Sequence, residues 1–528
     1  MPIRLQQFLS RFRRDRRGNV AIIFTFAAIP LVSAIGCAVD YSMATRMKAK
    51  LQSAADAAGI AALSQKSPGF LAASVMTGNG SVTAGVTDAT NVFNANMNGI
   101  TGYTNPNINI SVTKTGIKLA ASVTFSVDVP TTFLRVINFN KLTVSGLSSA
   151  AATLPPYLDF YLTLDTSGSM GLASTPAEQT RLSQVNPDNY RQYPTGCVFA
   201  CHFEPKNSAC TNTGTQGYPT NNACLGYAIS RVSQSGFKNL LENTTVNSTY
   251  PAGKRFKSNT IRDGLPDSLY SNLTTVSSCD TAGTDACVQL RADAVGYAVT
   301  ELFKTANASK KVPDQFRIGI YPFVRYLYAY FPLTSAINGS PTTPGTINYA
   351  AANLATQLDT NMNSSLGSGG THITTALTTV NGLIGSGSGA VGDGSTQSTP
   401  QPYVFLVTDG AQNNQVKGVP NGSWSGSNHA TTIDNRGALA TVSQCETLKS
   451  RGVVVSVLYI PYQKIDPVNT SFANNEGTAA NDNIAYIPAS LQKCASPGFF
   501  YTASSPTEIT AALNAMFNHA LQTAHITN

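Results

Sequence analysis

Charge is what this chain has least of. Asp, Glu, Lys and Arg together make up 12% of its 528 residues, about half the usual share. The polar surface must then come from Ser, Thr, Asn and Gln, which suits a cell-envelope protein better than a cytosolic enzyme. Histidine is scarce too: His202, His372, His429, His519 and His525 are all there are, and they form no metal-ligand spacing. No CxxC pair is accompanied by a second CxxC or an HxxxH, which argues against zinc. A Walker A loop is missing, since Gly253-Lys254 lacks both the upstream glycine and the following Ser or Thr. No GxSxG surrounds Ser167 or Ser169, so a hydrolase nucleophile elbow has no support. Gly387 to Gly392 formally matches GxGxxG but follows a helical pattern in Gly/Ser-rich sequence, the wrong context for a dinucleotide site.

The net charge of +8 suggests nucleic acid until it is localised. Arg4, Arg11, Arg13, Arg14, Arg16 and Arg17, set against Asp15, place +5 of it in residues 1–17. The remainder of the chain carries only +3. This is a short basic arm on a nearly neutral body, with no basic groove for a phosphate backbone. No nucleic-acid partner is expected.

Behind the arm, residues 18–39 run for 22 positions without a charge, up to Asp40. That length spans a hydrocarbon core at about 1.5 Å per residue. The preceding arginines follow the positive-inside rule, so the N-terminus is expected in the cytoplasm and the bulk of the chain exported. A cleaved signal peptide is the alternative. The run is longer than a signal core and passes into an Ala-rich stretch, 40 to about 65, with strong helix propensity. An uncleaved inner-membrane anchor is therefore expected, with Pro30 tolerated inside it.

Cysteine usage agrees with export. Beyond Cys37 in the span there are eight: Cys197, Cys201, Cys210, Cys224, Cys279, Cys287, Cys445 and Cys494. An even number in an exported region reads as disulfides, although eight cysteines permit 105 pairings. Cys197 and Cys201-His202 have one residue too many between the cysteines for haem attachment and read as disulfide cysteines instead. Cys210–Cys224 and Cys279–Cys287 are plausible local staples.

From about 66 to 155 the pattern changes to period two. Ile108, Ile110 and Val112 alternate with polar residues, as do Val123, Phe125, Val127 and Val129. Half-buried strands packed on the emerging helix are expected, with a turn near Lys114-Thr115-Gly116. Pro155-Pro156 marks a boundary. Beyond it, near-continuous apolar runs at 157–165, 316–323, 402–409, 453–460 and 499–503 read as buried strands. They alternate with helical patterns near 295–303, 347–361, 372–384 and 434–450. Ser505-Pro506-Thr507-Glu508 is a capping box opening a final helix with Ile509, Leu513 and Phe517 inward. The whole predicts an α/β domain over 156–528, a doubly wound and mostly parallel sheet. Two segments interrupt it: a Cys-rich insertion at 171–288 and a Gly/Ser linker or surface loop at 385–400.

Chemistry gathers at the strand ends. The first strand closes in Asp165-Thr166-Ser167-Gly168-Ser169, and the strand at 402–409 ends in Thr408-Asp409-Gly410. Gly369-Gly370-Thr371 opens a helix between them in sequence. Two carboxylates and up to three hydroxyls converging on one edge suit a small hard cation, since Mg²⁺ prefers oxygen and keeps several waters. A DxSxS that merely caps the first helix is the plain alternative.

These five positions, in this order, resemble the metal-ion-dependent adhesion site of von Willebrand factor A (vWA) domains. FRIGIYPF, FPLT, GGTHITTAL and FLVTDG follow that family's order of elements. The resemblance implies Ser167, Ser169 and Thr371 as direct ligands and Asp165 and Asp409 as outer or switching ligands. The implied ion is Mg²⁺ or Mn²⁺, with Ca²⁺ also possible, and one position stays open for a partner's carboxylate. It also makes the elements bearing Cys445 and Cys494 neighbours, which implies a disulfide between them. His372, beside Thr371, either tunes the site or faces solvent, and is read as facing solvent.

The N-terminal sequence narrows this further. RRDRRGNVAIIFTFAAIPLVSAIGCAVDY, LQSAADAAGIAAL and VPTTFLRVI are similar to the N-terminal and membrane-proximal segments of TadG-type proteins of the tight-adherence (Tad, Flp) pilus system. That resemblance implies a pilin-like region over 40–155, inner-membrane anchoring, pilus-assembly or envelope partners bearing an acidic side chain, and no catalysis. An extracytoplasmic hydrolase or haem protein on the same fold is the rival expectation. The insertion departs from a simple vWA domain, because it follows Ser169 where the first helix normally begins.

Overall fold

The computed structural model describes residues 18–179, 289–337, 351, 354–358, 364–367, 371–412, 437–462 and 484–524. The chain separates into two compact units, Met1–Leu154 and Pro155–Asn528.

The first unit is organised by α1 (Gly18–Leu63), one continuous helix of 46 residues that runs through Pro30. Span and emerging helix, distinct as sequence patterns, are thus a single element. Its C-terminal half buries Ala44, Met47, Leu51, Ala54, Ala55, Ala58 and Ala62. These recur every three or four residues, so they form one stripe. The stripe lies against an antiparallel sheet of β1 (Gly80–Ser81), β2 (Thr104–Thr115), β3 (Lys118–Pro130) and β4 (Lys141–Thr153), in the order β1-β2-β3-β4. In β3 the alternation is realised as buried Leu119, Ala121, Val123, Phe125, Val127 and Val129. Register follows it, Ile110 pairing with Val123 and Ile108 with Phe125.

Two helices in this unit escape the period-two reading: α2 (Pro68–Val75) and α3 (Thr83–Met97). Helix α2 is marked locally, since Ser67 Oγ accepts the Phe70 N–H and Pro68 stands in the first turn. Helix α3 is rich in Thr and Asn, poor helix formers, and is held by packing of Gly85, Ala89, Phe93 and Met97. Small residues permit the close approach. A Cβ on Gly69 would come within 2.6 Å of the Ala62 carbonyl and 2.7 Å of the Gly85 Cα.

The second unit is a six-stranded sheet with helices on both faces. Its strands are β5 (Leu158–Asp165), β6 (Phe316–Phe323), β7 (Phe331–Thr334), β8 (Gln401–Thr408), β9 (Val454–Tyr459) and β10 (Phe500–Thr502). They lie in the order β10-β9-β8-β5-β6-β7, all parallel except β7 at one edge. Every residue of β5 is buried, as a central strand covered on both faces requires.

On one face α4 (Arg291–Ser309) and α8 (Pro506–Ala524) pack on Leu158, Phe160, Leu162 and Leu164. On the other, α5 (Ile373–Leu383), α6 (Gly437–Ser450) and α7 (Ile487–Cys494) cover Tyr161, Val404 and Leu406. The expected inward residues Val295, Ala298, Val299, Leu302 and Phe303 are buried on α4. The capping box forms as well: Ser505 Oγ accepts the Glu508 N–H at 3.3 Å, and Glu508 Oε2 accepts the Ser505 N–H at 3.2 Å. The helical pattern at 347–361 falls largely outside the described residues; within it a single 3₁₀ turn spans Leu354–Gln357.

The insertion leaves and re-enters through a hydrogen-bonded neck. Leu172 O accepts the Arg291 N–H at 2.8 Å and Gln289 O accepts the Ser174 N–H at 2.9 Å. Ser174 Oγ donates to Gln289 Oε1 at 2.7 Å, and Glu178 Oε2 accepts the Gln289 N–H at 2.6 Å. Cys197, Cys201, Cys210, Cys224, Cys279 and Cys287 lie outside the described residues. The loop at 385–400 is tied down as a surface loop rather than left as a linker. The guanidinium of Arg451 donates to the carbonyls of Asn381, Ile384 and Gly389.

Cys445 and Cys494 form a disulfide joining α6 to α7 across 49 residues of sequence. Both cysteines are fully buried. Closing a loop of that size restricts the unfolded chain, and its loss typically costs about 2–4 kcal/mol. The double variant Cys445→Ala, Cys494→Ala is expected to lower the urea midpoint of the second unit by a corresponding amount. An unchanged midpoint would mean that the packing of α6 and α7 alone sets their stability.

Candidate functional site

In an open parallel sheet, ligands sit beyond the carboxyl ends of the strands, at the point where strand order reverses. Here that point lies between β5 and β8: the chain proceeds from β5 outward through β6 to β7, then returns to β8 on the other side. Asp165 ends β5 and Asp409 follows β8, so backbone topology alone brings the two carboxylates together.

Asp165 is fixed on both oxygens. Oδ1 accepts the Ser167 N–H at 2.9 Å, and Oδ2 accepts the Thr408 hydroxyl at 2.6 Å. Thr408 Oγ1 accepts the Gly410 N–H at 2.9 Å in turn, so one hydroxyl links the ends of both strands. Gly410 has φ +78°, and a Cβ there would collide with Ile487. The glycine of TDG therefore answers a backbone requirement.

Ser167 directly precedes a 3₁₀ turn, Gly168–Gly171, and Ser169 lies in it, with their hydroxyl oxygens 3.2 Å apart. Ser167 makes no side-chain cap to this turn, so its hydroxyl is not spent on capping it. Thr371 is buried two residues before α5. The His372 N–H donates to Val324 O at 2.9 Å, just beyond β6, and the Thr374 N–H donates to Gln412 Oε1 at 3.0 Å, just beyond Asp409. These two bonds hold Thr371 at the same rim. His372 does not simply face solvent, since its Nε2 is buried; the bond to Val324 draws the residue onto the strand end.

The electrostatics of the rim are unusual. Asp165 and Asp409 are fully buried. Desolvation raises both pKa values, and for Asp165 the neighbouring Asp409 charge raises it further. Against burial, Asp409 is stabilised chiefly by Arg291 and then by Ser169. Arg291 is itself buried; its Nη2 donates to Pro461 O at 3.0 Å, while Nη1 stands 4.0 Å from Asp409 Oδ2. Neither Nη1 nor Oδ2 has a hydrogen-bond partner among the described residues. Arg291 offsets Asp409, so with both carboxylates ionised the pair carries one more negative charge than the guanidinium balances, which burial makes costly.

The donor set fits a hard divalent ion: hydroxyl and carboxylate oxygens, a charge deficit, and one buried carboxylate oxygen awaiting a partner. Among the described residues no group of three or more His, Cys, Asp or Glu side chains is placed to hold a metal, so the candidate set depends on its hydroxyls. Thr408, Gln412 and Arg291 are participants that sequence reasoning did not single out. Thr408 was adjacent to a chosen residue, whereas Arg291 is separated from DTSGS by the whole insertion and carried no signal.

The strand order, the lone antiparallel edge strand and the site at the β5–β8 switch define the second unit as a vWA-like α/β fold. Residues 18–74 match the family described as "Tad: Putative Flp pilus-assembly TadE/G-like", so the N-terminal segment is TadE/G-like. No curated protein matches the chain. Among solved structures it is similar to the pilus adhesin SpaC from Lactobacillus rhamnosus GG, at 13% identity and TM-score 0.31, over 80% of this chain but only 34% of that one. It is similar to the PilB minor pilin from Streptococcus sanguinis at 12% identity, TM-score 0.33 and 80% of each chain. The vWF domain of the type V pili tip protein Mfa5 from Porphyromonas gingivalis aligns at 10% identity and TM-score 0.28, over 71% of this chain and 97% of that one. These superpositions are loose, and the fold assignment rests on the sheet order.

Burial gives the site a pH signature. Asp165 is pushed up to about 7, above its unfolded value. The native state therefore binds more protons than the unfolded state between about pH 4 and 7, and stability falls as pH rises through that window. Metal-free protein is expected to show a melting temperature that declines from about pH 4 to about pH 7. Asp409→Asn should flatten this decline by removing the like charge. An equally steep decline in Asp409→Asn would show that the two carboxylates do not interact.

Proposed function

We propose that the second unit is a metal-dependent recognition domain on an anchored envelope protein serving Flp/Tad pilus assembly, anchoring or surface attachment. Ser167, Ser169 and Thr371 would hold a divalent cation directly, with Asp165 and Asp409 acting through water. Mg²⁺ is the first candidate, with Mn²⁺ and Ca²⁺ as alternatives. When bound, the ion would supply a Lewis-acidic position for an acidic side chain of a protein partner. The observation that carries this reading is the pair of buried carboxylates at the sheet's switch point, with one guanidinium beside Asp409 and a serine hydroxyl bonded to each carboxylate.

The protein's own residues then have distinct tasks. Thr408 orients Asp165 and couples the ends of β5 and β8. Arg291 offsets part of the charge on Asp409 and keeps that carboxylate tolerable before any cation arrives. The insertion neck at Ser174 and Gln289 holds the start of α4, and with it Arg291, against the rim. No residue is assigned a catalytic role. Membrane retention through α1, with the bulk of the chain periplasmic or at the surface, belongs to the same reading. It is supported by an N-terminal helix that, alone among the described residues, is long and apolar enough to cross a bilayer, and by the TadE/G-like match over 18–74.

Millimolar Mg²⁺ or Mn²⁺ is expected to raise the melting temperature of the wild-type protein, and Ser167→Ala or Ser169→Ala to abolish most of that rise. A metal-induced rise of the same size in both variants would remove the hydroxyls from the ligand set. Pull-down of envelope proteins on the metal-loaded chain should lose its specific partner when chelator is added or when Asp165→Ala is used, with no substrate turnover in either case.

Arg291→Met probes the resident cation separately. Stranding Asp409 in the interior is expected to cost about 3 kcal/mol in metal-free buffer, and saturating Mg²⁺ should restore part of that loss. If Mg²⁺ restored nothing, the guanidinium and the ion would not be serving the same charge.

A further inference from the structure

The β3–β4 connection, residues 131–140, carries an exposed apolar cluster at the end of a hairpin. Phe133 is 41% exposed, Val136 80%, Ile137 46% and Phe139 61%. At the opposite end of the same sheet, the β2–β3 turn tucks its one large apolar residue, Ile117, to 3% exposure. The two ends therefore face different surroundings. A cluster of this kind beside polar strands marks a surface meant to be covered.

The covering medium follows from where the loop is fastened. Asp40, the first charge after the uncharged stretch, accepts the backbone N–H groups of Thr132, Phe133 and Leu134 at 2.9, 2.9 and 2.7 Å. This clamps the 3₁₀ turn Leu134–Ile137 to α1. Phe133 then lies against Gly36, where any side chain would collide with it. Gly36 is one helical turn inside the uncharged stretch, about 6 Å from Asp40 along the helix axis. The apolar loop is thus level with the last turn of the segment that spans the bilayer, and it continues that segment's own apolar surface, where Leu31, Ile35 and Val39 are exposed.

Charge agrees with placement at a lipid boundary. Residues 131–140 contain no acid and one cation, Arg135, which is exposed and long enough to reach headgroup phosphates. Lys141 follows directly. The nearest acids are already engaged: Asp40 by the three amides, and Asp128 by Asn105, Lys141 and Thr143. Phenylalanine and aliphatic side chains flanked by Arg or Lys are a composition that beds at the boundary of headgroups and acyl chains.

We infer that the loop Phe133–Phe139 is a second membrane contact, seated in the outer interfacial layer of the bilayer beside the exit of α1, with Arg135 directed to anionic headgroups. The inference rests on the reading that α1 stays in the membrane. Together the helix and the loop make two points of attachment, which would fix the tilt and rotation of the first unit on the lipid surface. A helix alone leaves rotation free.

The chain has one tryptophan, Trp424, so single-tryptophan proteins are accessible from a Trp424→Phe background. Full-length protein carrying Val136→Trp, Phe26→Trp or Thr115→Trp is reconstituted into phosphatidylethanolamine–phosphatidylglycerol vesicles with and without brominated lipid. Position 26 tests the span, 136 the loop, and 115 the far end of the hairpin. Loss of most emission in bromolipid at 26 and 136, but not at 115, with 136 protected from aqueous iodide, is the expected result. Quenching at 26 combined with full iodide access at 136 overturns the loop contact and leaves the anchor standing. Protection from both quenchers at 136 indicates a protein neighbour and overturns it as well. No lipid quenching at 26 removes the anchored reading and the loop contact with it.

Discussion

Two carboxylates buried side by side are the constraint around which the second unit is arranged. Parallel strands β5 and β8 end at the same edge, so Asp165 and Asp409 lie close enough for their charges to interact. Burial penalises both charges, and proximity penalises Asp165 further. The neighbourhood is built to hold that cost down: two hydrogen bonds on Asp165, a guanidinium 4.0 Å from Asp409, and serine hydroxyls around them. A site optimised only for stability would have replaced such a pair with apolar residues. Its persistence at a switch point, where sheets of this kind place ligands, is the physical reason to read it as functional.

The insertion fits this arrangement once its neck is considered. In a simpler domain the DxSxS turn would pass directly into a helix. Here the chain leaves at Ser174 and returns at Gln289, joined by paired backbone and side-chain bonds, and α4 begins as though uninterrupted. The return point also delivers Arg291 to the rim. A large insertion is therefore compatible with an intact site because closure of the neck, rather than continuity of the chain, fixes the geometry.

The first unit obeys a different logic. A single helix exposes Ile23, Phe24, Phe26, Leu31 and Ile35 in its N-terminal half and carries a one-sided alanine stripe in its C-terminal half. Small residues let the sheet approach closely, and Asp40 marks the transition by binding backbone amides instead of solvent. The same carboxylate that ends the uncharged run fastens the loop that continues the apolar surface.

Local pattern was enough to determine much of this protein. The uncharged run ahead of Asp40, the unbroken apolar strands of the second unit, the alternation in β3 and the capping box at Ser505 each express a periodicity or a stereochemical preference confined to a few neighbouring residues. The same holds for the DTSGS and TDG turns, whose residues had to lie at strand ends if the strands existed. Tertiary structure alone decided what depends on distant segments meeting. Helix α3 forms on a sequence of poor helix formers because Gly69 and Gly85 allow close packing. Thr408 becomes a bridge only when β5 lies beside β8. Arg291 reaches Asp409 only because the insertion closes on itself. Such contacts join residues far apart in the chain, and nothing in the local spacing of either partner encodes the other's position.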